Sequence, residues 1–471
     1  MARHKVFTRT NLIAELAPRL YGRDPAELGR VLDRVTASRE VIPLIGVTGT
    51  REQSYTTVEV LDAEHRIGLT VQTIADRPGP TVPPETMERA LREKQESIGA
   101  SLTNGQRAAV EAVCDSTRAV TVIVGVAGSG KTTVLDAAAN ALTGAGYRIV
   151  GTSTSGQAAR TLNEATHVET RTFASLLWRL DNRQLVLDDR TVVVVDESGM
   201  ADDADLARLV LAVERSGASL VLVGDHRQLA AVGPGGALAA LLERRPELVV
   251  TLDGNVRQHD PAERKALAEM RDGSVPRAVA WYARHDRIHV TPYRVDTLVA
   301  MADAWVADVA AGHDSALLAW RRQDVADLNR LARQRWDQLG HLTGDDVKVA
   351  DGRHYAAGDR LVALAPNPDA GIVTSEPLTV VAAEEKALTL RTSDGRAVQV
   401  TAEGLDTEHL DYGYAVTVHR AQGATYDRAH VLAAGGGREL GYVAMSRARD
   451  HTTIHATADA YAQADEDLQA G

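Results

Sequence analysis

From residue 101 the chain alternates short β-branched runs with segments of helical apolar spacing. AVTVIVGV precedes TVLDAAANAL, YRIVGTS precedes GQAARTLNEA, TVVVVD precedes ADLARLVLAVERS, and SLVLVGD precedes GALAALLERR. Uninterrupted apolar strands set between helices predict a parallel sheet covered on both faces, an α/β fold. Residues 340–410 break the pattern: GDDVKV, GDRLVALA and PLTVVAAEEKALTLRTSDGRAVQV are short strands parted by Gly, Asp and Pro turns. They predict a small β-barrel inserted into a second α/β domain, after which YAVTVHRAQ and RAHVLAA resume the alternation. Residues 1–100 read differently again. NLIAELAPRL and PAELGRVLDRVTA have helical spacing around a GRD turn, VIPLIGV and REQSYTTVEVL suggest a strand, a turn and a further helix, and DRPGPTVPPE is a Pro-rich linker.

Helix, helix, strand and helix fit an N-terminal α+β unit, either a winged-helix-like module or a helical packing domain with no role on DNA. The expected organisation is residues 1–100 as an accessory domain, 101–254 as a first α/β domain, 255–339 with 411–471 as a second α/β domain, and 340–410 as the β insert.

Composition narrows the function. The chain has 471 residues, 44% of them hydrophobic and 25% charged, the balance of a globular protein. A net charge of −12 argues against bulk electrostatic coating of nucleic acid, while leaving room for a local basic groove. Aromatics make up 4%, with two Phe, so any stacking platform for bases rests on a few residues. The one cysteine, Cys114, forms neither an internal disulfide nor a cysteine zinc cluster. No apolar stretch approaches the ~18 residues of a membrane span, and the N-terminus lacks a signal-peptide core, so a cytoplasmic location is the default.

The strongest chemical signal is GVAGSGKT, residues 125–132, between the run TVIVGV and the helix TVLDAAANAL. In that context G-x-x-x-x-G-K-[ST] is a phosphate-binding loop. Gly125, Gly128 and Gly130 let the backbone turn its amides toward phosphates, and Ser129 completes the curl. Lys131 reaches the β- and γ-phosphates, Thr132 offers a hydroxyl to Mg²⁺, and Thr133 follows on the first helical turn. Asp196 and Glu197 close the strand TVVVVD, 65 residues after Lys131. That placement suits Asp196 to hold Mg²⁺ and Glu197 to orient or activate the attacking water.

The remaining motifs, in order over roughly residues 101–460, resemble those of superfamily 1 helicases. Within the RecD-like, 5′-to-3′ branch they are similar to the helicase region of TraA/TraI-type (MobF) conjugative relaxases. The resemblance implies two RecA-like domains with an SH3-like barrel where the β insert lies, an ATP- and Mg²⁺-dependent motor, and single-stranded DNA as partner, with a relaxase or conjugation complex as a further one and a monomeric state. It assigns Gln106 to the adenine. It assigns Thr152, Ser153 and Thr154 (GTSTSGQAARTL), Thr172 and Phe173 (ETRTFASLL), and Thr417, His419 and Gln422 (YAVTVHRAQGATY) to DNA, the last of these motifs also sensing nucleotide. Gln228 (VGDHRQL) would sense the γ-phosphate, and Arg257 (GNVRQHD) and Arg447 (YVAMSRARD) would act as arginine fingers. DESGM departs from the family's usual DEAGM, and Ser198 is expected to set a hydroxyl beside the water site.

Two features limit the expectation. The first 100 residues hold no H-x-H pair or grouped His near a Tyr, so a nicking activity is not expected, as for a piece of a relaxase or a stand-alone helicase. Ten residues, Asp181 to Arg190, are too few for a long strand-separating hairpin, so translocation is the safer expectation than vigorous unwinding. Two rival classes are a non-catalytic single-strand anchor, opposed by the intact Lys131, Asp196, Glu197, Gln228, Arg257 and Arg447, and a P-loop NTPase acting on other substrates.

Overall fold

The valine-rich runs become the centre of a six-stranded, all-parallel sheet. Its order is Thr170–Thr172, Arg148–Ser153, Thr191–Val195, Ser219–Gly224, Val120–Gly125, Val249–Leu252. In this computed structural model, residues 5–22, 24–45, 52–115, 117–225, 227–228, 236–252, 254–349, 352–384, 387–401 and 409–458 are described. The three central strands are buried at every position, which is why their sequence shows runs rather than alternation. Successive residues serve opposite faces. Val193, Val195, Leu220 and Leu222 pack with helices Asp203–Ser216 and Phe173–Asp181. Val192, Val194, Val221 and Val223 pack with Lys131–Gly144 and Asn104–Val113.

Two helices from the expected 1–100 unit belong to these same cores. Val58–Ala75 contributes Ile67, Val71 and Ile74 to one face, and Pro84–Ile98 contributes Ala90 and Leu91 to the other. A separate small core, Phe7, Leu12, Leu32 and Val41, is held by helices Arg9–Leu16 and Pro25–Thr36 and by an antiparallel sheet of Phe7–Thr8, Ser54–Thr57 and Val41–Pro43. The periodicity of the two long helices shows that they bury a stripe, but not against which partner.

The second parallel sheet runs Ile288–Thr291, Ala448–Thr457, Tyr426–Leu432, Ser315–Ala319, Ala415–Thr417. Helices Arg294–Ala310 and Arg322–Gln338 share a core with Leu317 and Ala319. Pro261–Arg271, Val275–Arg284 and Gly437–Met445 share one with Ala316, Leu318 and Val431. Between Gln338 and Ala415 the chain leaves this sheet and builds antiparallel β structure. A pair, Thr343–Lys348 with His354–Ala357, adjoins a five-stranded sheet ordered Ala397–Thr401, Ala387–Arg391, Pro377–Glu384, Arg360–Ala363, Leu410–Tyr412. Here burial alternates as the sequence does, with Leu378, Val380, Leu388 and Leu390 turned inward.

Polar ties fix the insert to its neighbours. Arg333 donates from Nε to Asp359 Oδ1 at 2.9 Å and from Nη2 to Asp346 at 2.8 Å, while Tyr414 donates to the fully buried Asp359 at 2.6 Å. Arg360 lies 4.8 Å over the Trp336 ring and 5.4 Å over Trp305. From the first sheet's side, Arg160 binds the buried Glu376 and donates to Gly371 O at 2.6 Å. Among the described residues no helix is long and apolar enough to cross a membrane.

The second sheet also buries a histidine relay. His430 Nε2 lies 3.0 Å from Asp308 Oδ2, and its Nδ1 lies 3.2 Å from His455 Nε2. His289 stands 5.4 Å from the His455 ring, and Arg428 donates to Asp308 at 2.7 Å. Burial, then the charges of His430 and His289, push His455 down to about 3; burial, then Arg287 and Arg428, push His451 down to about 4. A histidine depressed in the fold is neutral there, so the unfolded chain holds the proton more tightly. The stability it confers is complete above about pH 6.5 and declines as pH falls from there toward about 4 and 3. The melting temperature is therefore expected to drop between about pH 7.5 and 5, with a smaller drop in His455→Gln. Equal drops in thermal melts of the two proteins would show that His455 does not carry the effect.

Candidate active site

The loop Val126–Gly130 turns from strand Val120–Gly125 into helix Lys131–Gly144, and Gly130 caps that helix at φ +82°. Gly128 is also left-handed, at φ +77°. Its missing side chain matters doubly, since a Cβ there would stand 2.4 Å from Arg257 Cβ and 2.6 Å from Asn255 Oδ1. Gly125 is pressed against Ser129, whose hydroxyl is buried without a partner. Lys131 Nζ donates to Gly125 O at 2.9 Å. Thr132 is exposed and lines the site; Thr133 is half-buried on the same turn. Gln106, expected at the adenine, is buried beneath the loop. Its amide nitrogen donates to Ser129 O at 3.0 Å and its carbonyl accepts from Thr103 N at 3.0 Å, so both ends brace backbone.

A cavity of about 410 Å³ opens above the loop, lined by Lys131 and Thr132, by Asp196, Glu197 and Gln228 at the ends of the first sheet's strands, and by Arg257 and Arg447 from the opposite body. Asp196 N donates to Thr152 O at 2.9 Å, and burial and then the Glu197 charge push its carboxyl upward, with Lys131 opposing. Glu197 holds a left-handed backbone, φ +51°, although it is not glycine. That strain turns the strand end into the cleft. Ser198 does not sit beside the water site as expected. It is buried, and its hydroxyl donates back to Val223 O at 2.9 Å, because the same turn points it under the sheet.

Arg257 donates to Ser446 O at 2.9 Å. Arg447 donates to Val443 O at 2.8 Å and to Ser446 Oγ at 2.9 Å. Neither has a carboxylate partner among the described residues. Burial pushes Arg257 down to about 9 and also lowers Arg447, and the Arg447 charge adds to the effect on Arg257. Two desolvated cations beside a phosphate loop are matched to an anion that enters the cavity.

The residues expected on DNA fall into several environments. Thr152 and Ser153 are fully buried with unpartnered hydroxyls, and Thr154 is half-exposed. Thr172 caps helix Phe173–Asp181, accepting from Ser175 N at 3.3 Å, and Phe173, 7% exposed, packs in the core. Thr417 accepts from Arg420 N at 3.3 Å. His419 leans on Trp320 with ring centres 5.3 Å apart, and Trp320 is 37% exposed. Gln422 points into the nucleotide cleft, its amide 3.4 Å from both Glu197 Oε2 and Gln228 Oε1. Residues 226 and 229–235 of the Gln228 motif lie outside the described residues. A second cavity of about 510 Å³ shares Ala158, Thr161 and Gly423 with the first and is lined by Arg360, Arg391 and Arg420, none in an ion pair among the described residues.

Three features escaped the sequence reading. Trp320 stands directly after strand Ser315–Ala319, a strand-end position that could have flagged it. Asp225 makes a buried two-point pair with Arg271, at 3.0 and 3.3 Å, across the cleft. Tyr442, inside the YVAMSRARD motif, accepts a hydrogen bond from Ala127 N of the phosphate loop at 3.0 Å. No local pattern announces either cross-cleft contact.

Comparison with known proteins agrees with this architecture. Residues 101–293 match the AAA domain family. Over 446 residues the chain is 32% identical to the conjugal transfer protein TraA of Rhizobium radiobacter, covering 92% of this chain and 40% of that protein. It is 27% identical over 420 residues to the ATP-dependent RecD2 DNA helicase of Deinococcus radiodurans, covering 85% of this chain and 55% of that protein. The chain thus spans two fifths of the length of the conjugal transfer relatives. Among solved structures, Bacteroides Pif1 bound to ssDNA superposes with a TM-score of 0.52 at 18% identity, over 78% of this chain and 96% of that one, a likeness of fold.

Gly128→Ala is expected to abolish nucleotide binding while the far-UV spectrum stays unchanged. The left-handed backbone alone costs alanine roughly 1–2 kcal/mol, and the new methyl collides with Arg257. Titration with a fluorescent ATP analogue checks this; wild-type affinity would show that the loop does not need this close approach.

Proposed function

From its membership of the RecD-like superfamily 1 helicases, in which it is related to the helicase regions of conjugative relaxases, we propose that the chain is an ATP-driven motor on single-stranded DNA, of the conjugation or repair type. One observation carries the reading: Lys131, Asp196, Glu197 and Gln228 from one α/β body and Arg257 and Arg447 from the other line a single cavity. Each half lacks what the other holds, so turnover depends on closure, and closure can be coupled to a track. In this reading the chain comprises two RecA-like domains, with residues 340–410 as an SH3-like barrel and the N-terminal residues as a winged-helix-like accessory unit.

Within it, the loop amides and Lys131 bind the ATP phosphates. Thr132 and Asp196, which line the same cavity, fit Mg²⁺, an ion that uses one or two protein oxygens and completes its shell with phosphate and water. When bound, it neutralises charge on the phosphates. Glu197 orients the attacking water, Arg257 and Arg447 stabilise the charge of the transferring group, and fingers of this kind contribute roughly 10³–10⁵ in rate. Gln422 joins Glu197 and Gln228 to the segment carrying Thr417 and His419, so a change at the γ-phosphate is felt where DNA is held. The strand would pass the half-exposed Trp320–His419 pair, a stacking platform, and the cavity of Arg360, Arg391 and Arg420, a local positive surface on an acidic protein.

The 5′-to-3′ direction rests on resemblance, as do a relaxase or conjugation complex as partner, a monomeric state and work in the cytoplasm. Residues 182–190, between helix Phe173–Asp181 and strand Thr191–Val195, hold no hairpin, which favours translocation over strong unwinding. The buried, unpaired arginines speak against a decayed anchor.

Single-stranded DNA is expected to stimulate ATP hydrolysis strongly, and Lys131→Ala to abolish it with the fold intact. Turnover indifferent to DNA would point to another NTPase class, and full turnover in the variant would displace the site. Trp320→Ala should weaken DNA binding by roughly 1–3 kcal/mol, the contribution of one stacked base. Binding should fall with salt at a log–log slope of only a few; a slope near ten would contradict a small cationic groove.

A further inference from the structure

The phosphate loop is gripped from across the cleft at two consecutive residues. Gly128 O accepts from Val256 N at 2.8 Å, and Ala127 N donates to the Tyr442 phenol at 3.0 Å. Both partners belong to the second body, one preceding helix Pro261–Arg271 and the other within helix Gly437–Met445. Tyr442 is 3% exposed and Ala127 2%, so this bond is formed away from water. The phenol packs in the second body's core with Val443 and Leu440, which leaves its ring little freedom. The Asp225–Arg271 pair lies in its electrostatic surroundings, and burial, then Asp225, push Tyr442 up to about 12, so the phenol stays neutral at working pH. Backbone amides are the groups with which a loop of this kind holds phosphate. Tyr442 therefore occupies one of the loop's own donors.

We propose that Tyr442 is a positioning residue for ATP hydrolysis: by accepting the Ala127 amide it sets the phosphate loop in register with the second body, so that Arg257 and Arg447 meet the loop only in the closed arrangement. It acts through the loop and through helix Gly437–Met445, which ends two residues before Arg447. Loss of the hydroxyl leaves the loop free to bind nucleotide while the opposite body closes out of register. The inference rests on the motor reading above.

The test compares wild type with Tyr442→Phe, which keeps the ring and its packing. ATP hydrolysis is measured with and without single-stranded DNA over a range of ATP, together with binding of a fluorescent ADP analogue and thermal melting. The expected result is a split: DNA-stimulated kcat falls about fivefold or more, the size of one lost hydrogen bond, while analogue affinity is unchanged or higher and the melting temperature is preserved. A kcat within about twofold of wild type would overturn the proposal, as would a parallel loss of kcat, nucleotide affinity and melting temperature, the mark of a merely structural role. Wild-type stimulation is read first. If DNA does not stimulate the wild type, the motor reading itself fails and this inference falls with it; if it does and the variant matches it, only the role of Tyr442 is lost.

Discussion

Arg257 and Arg447 have been taken largely out of water and given backbone carbonyls and a serine hydroxyl as partners in place of carboxylates. A desolvated cation without a counter-charge is costly, and near a second cation more so. What makes the arrangement tolerable is the polar rim opposite, where the Glu197 charge supports both guanidiniums. The rest of the molecule serves this opposition. The first sheet presents its carboxylates and phosphate loop at strand ends, the second presents its arginines, and the buried Asp225–Arg271 pair and the Tyr442 and Val256 contacts hold the halves face to face. An entering polyphosphate supplies the missing negative charge, so substrate and closure favour one another.

The same opposition explains why the site needs strain at a few points. Glu197 adopts a left-handed backbone to leave the strand, and Gly128 must be bare for Arg257 to approach. Both features lie in the seam between the bodies, where neither half alone determines the geometry.

Much of this was legible in the sequence because it is local. A parallel sheet buried on both faces must show runs such as TVVVV, and the phosphate loop must place its glycines at fixed offsets before a helix. What was hidden depends on distant partners. Helix Val58–Ala75 advertises an apolar stripe but not the sheet that receives it. Gln106 reads as a polar group free for a base, yet its amide nitrogen is taken up by Ser129 O, 23 residues along the chain. Thr152 and Ser153 look like surface hydroxyls and lie buried at a strand end. Tyr442 was invisible because its partner is more than 300 residues away.

The antiparallel insert has a mechanical consequence. It leaves the second body through helix Arg322–Gln338 and is clamped there by Arg333, Asp359 and Tyr414, yet it also holds the first body through Arg160, Glu376 and Gly371. The two bodies are thus joined at a further place, on the helix Gly156–Thr166 whose Ala158 and Thr161 line the nucleotide cavity. While that joint holds, the two bodies cannot simply drift apart. Any relative movement of the two bodies must therefore either break the Arg160 contacts or carry the insert with it.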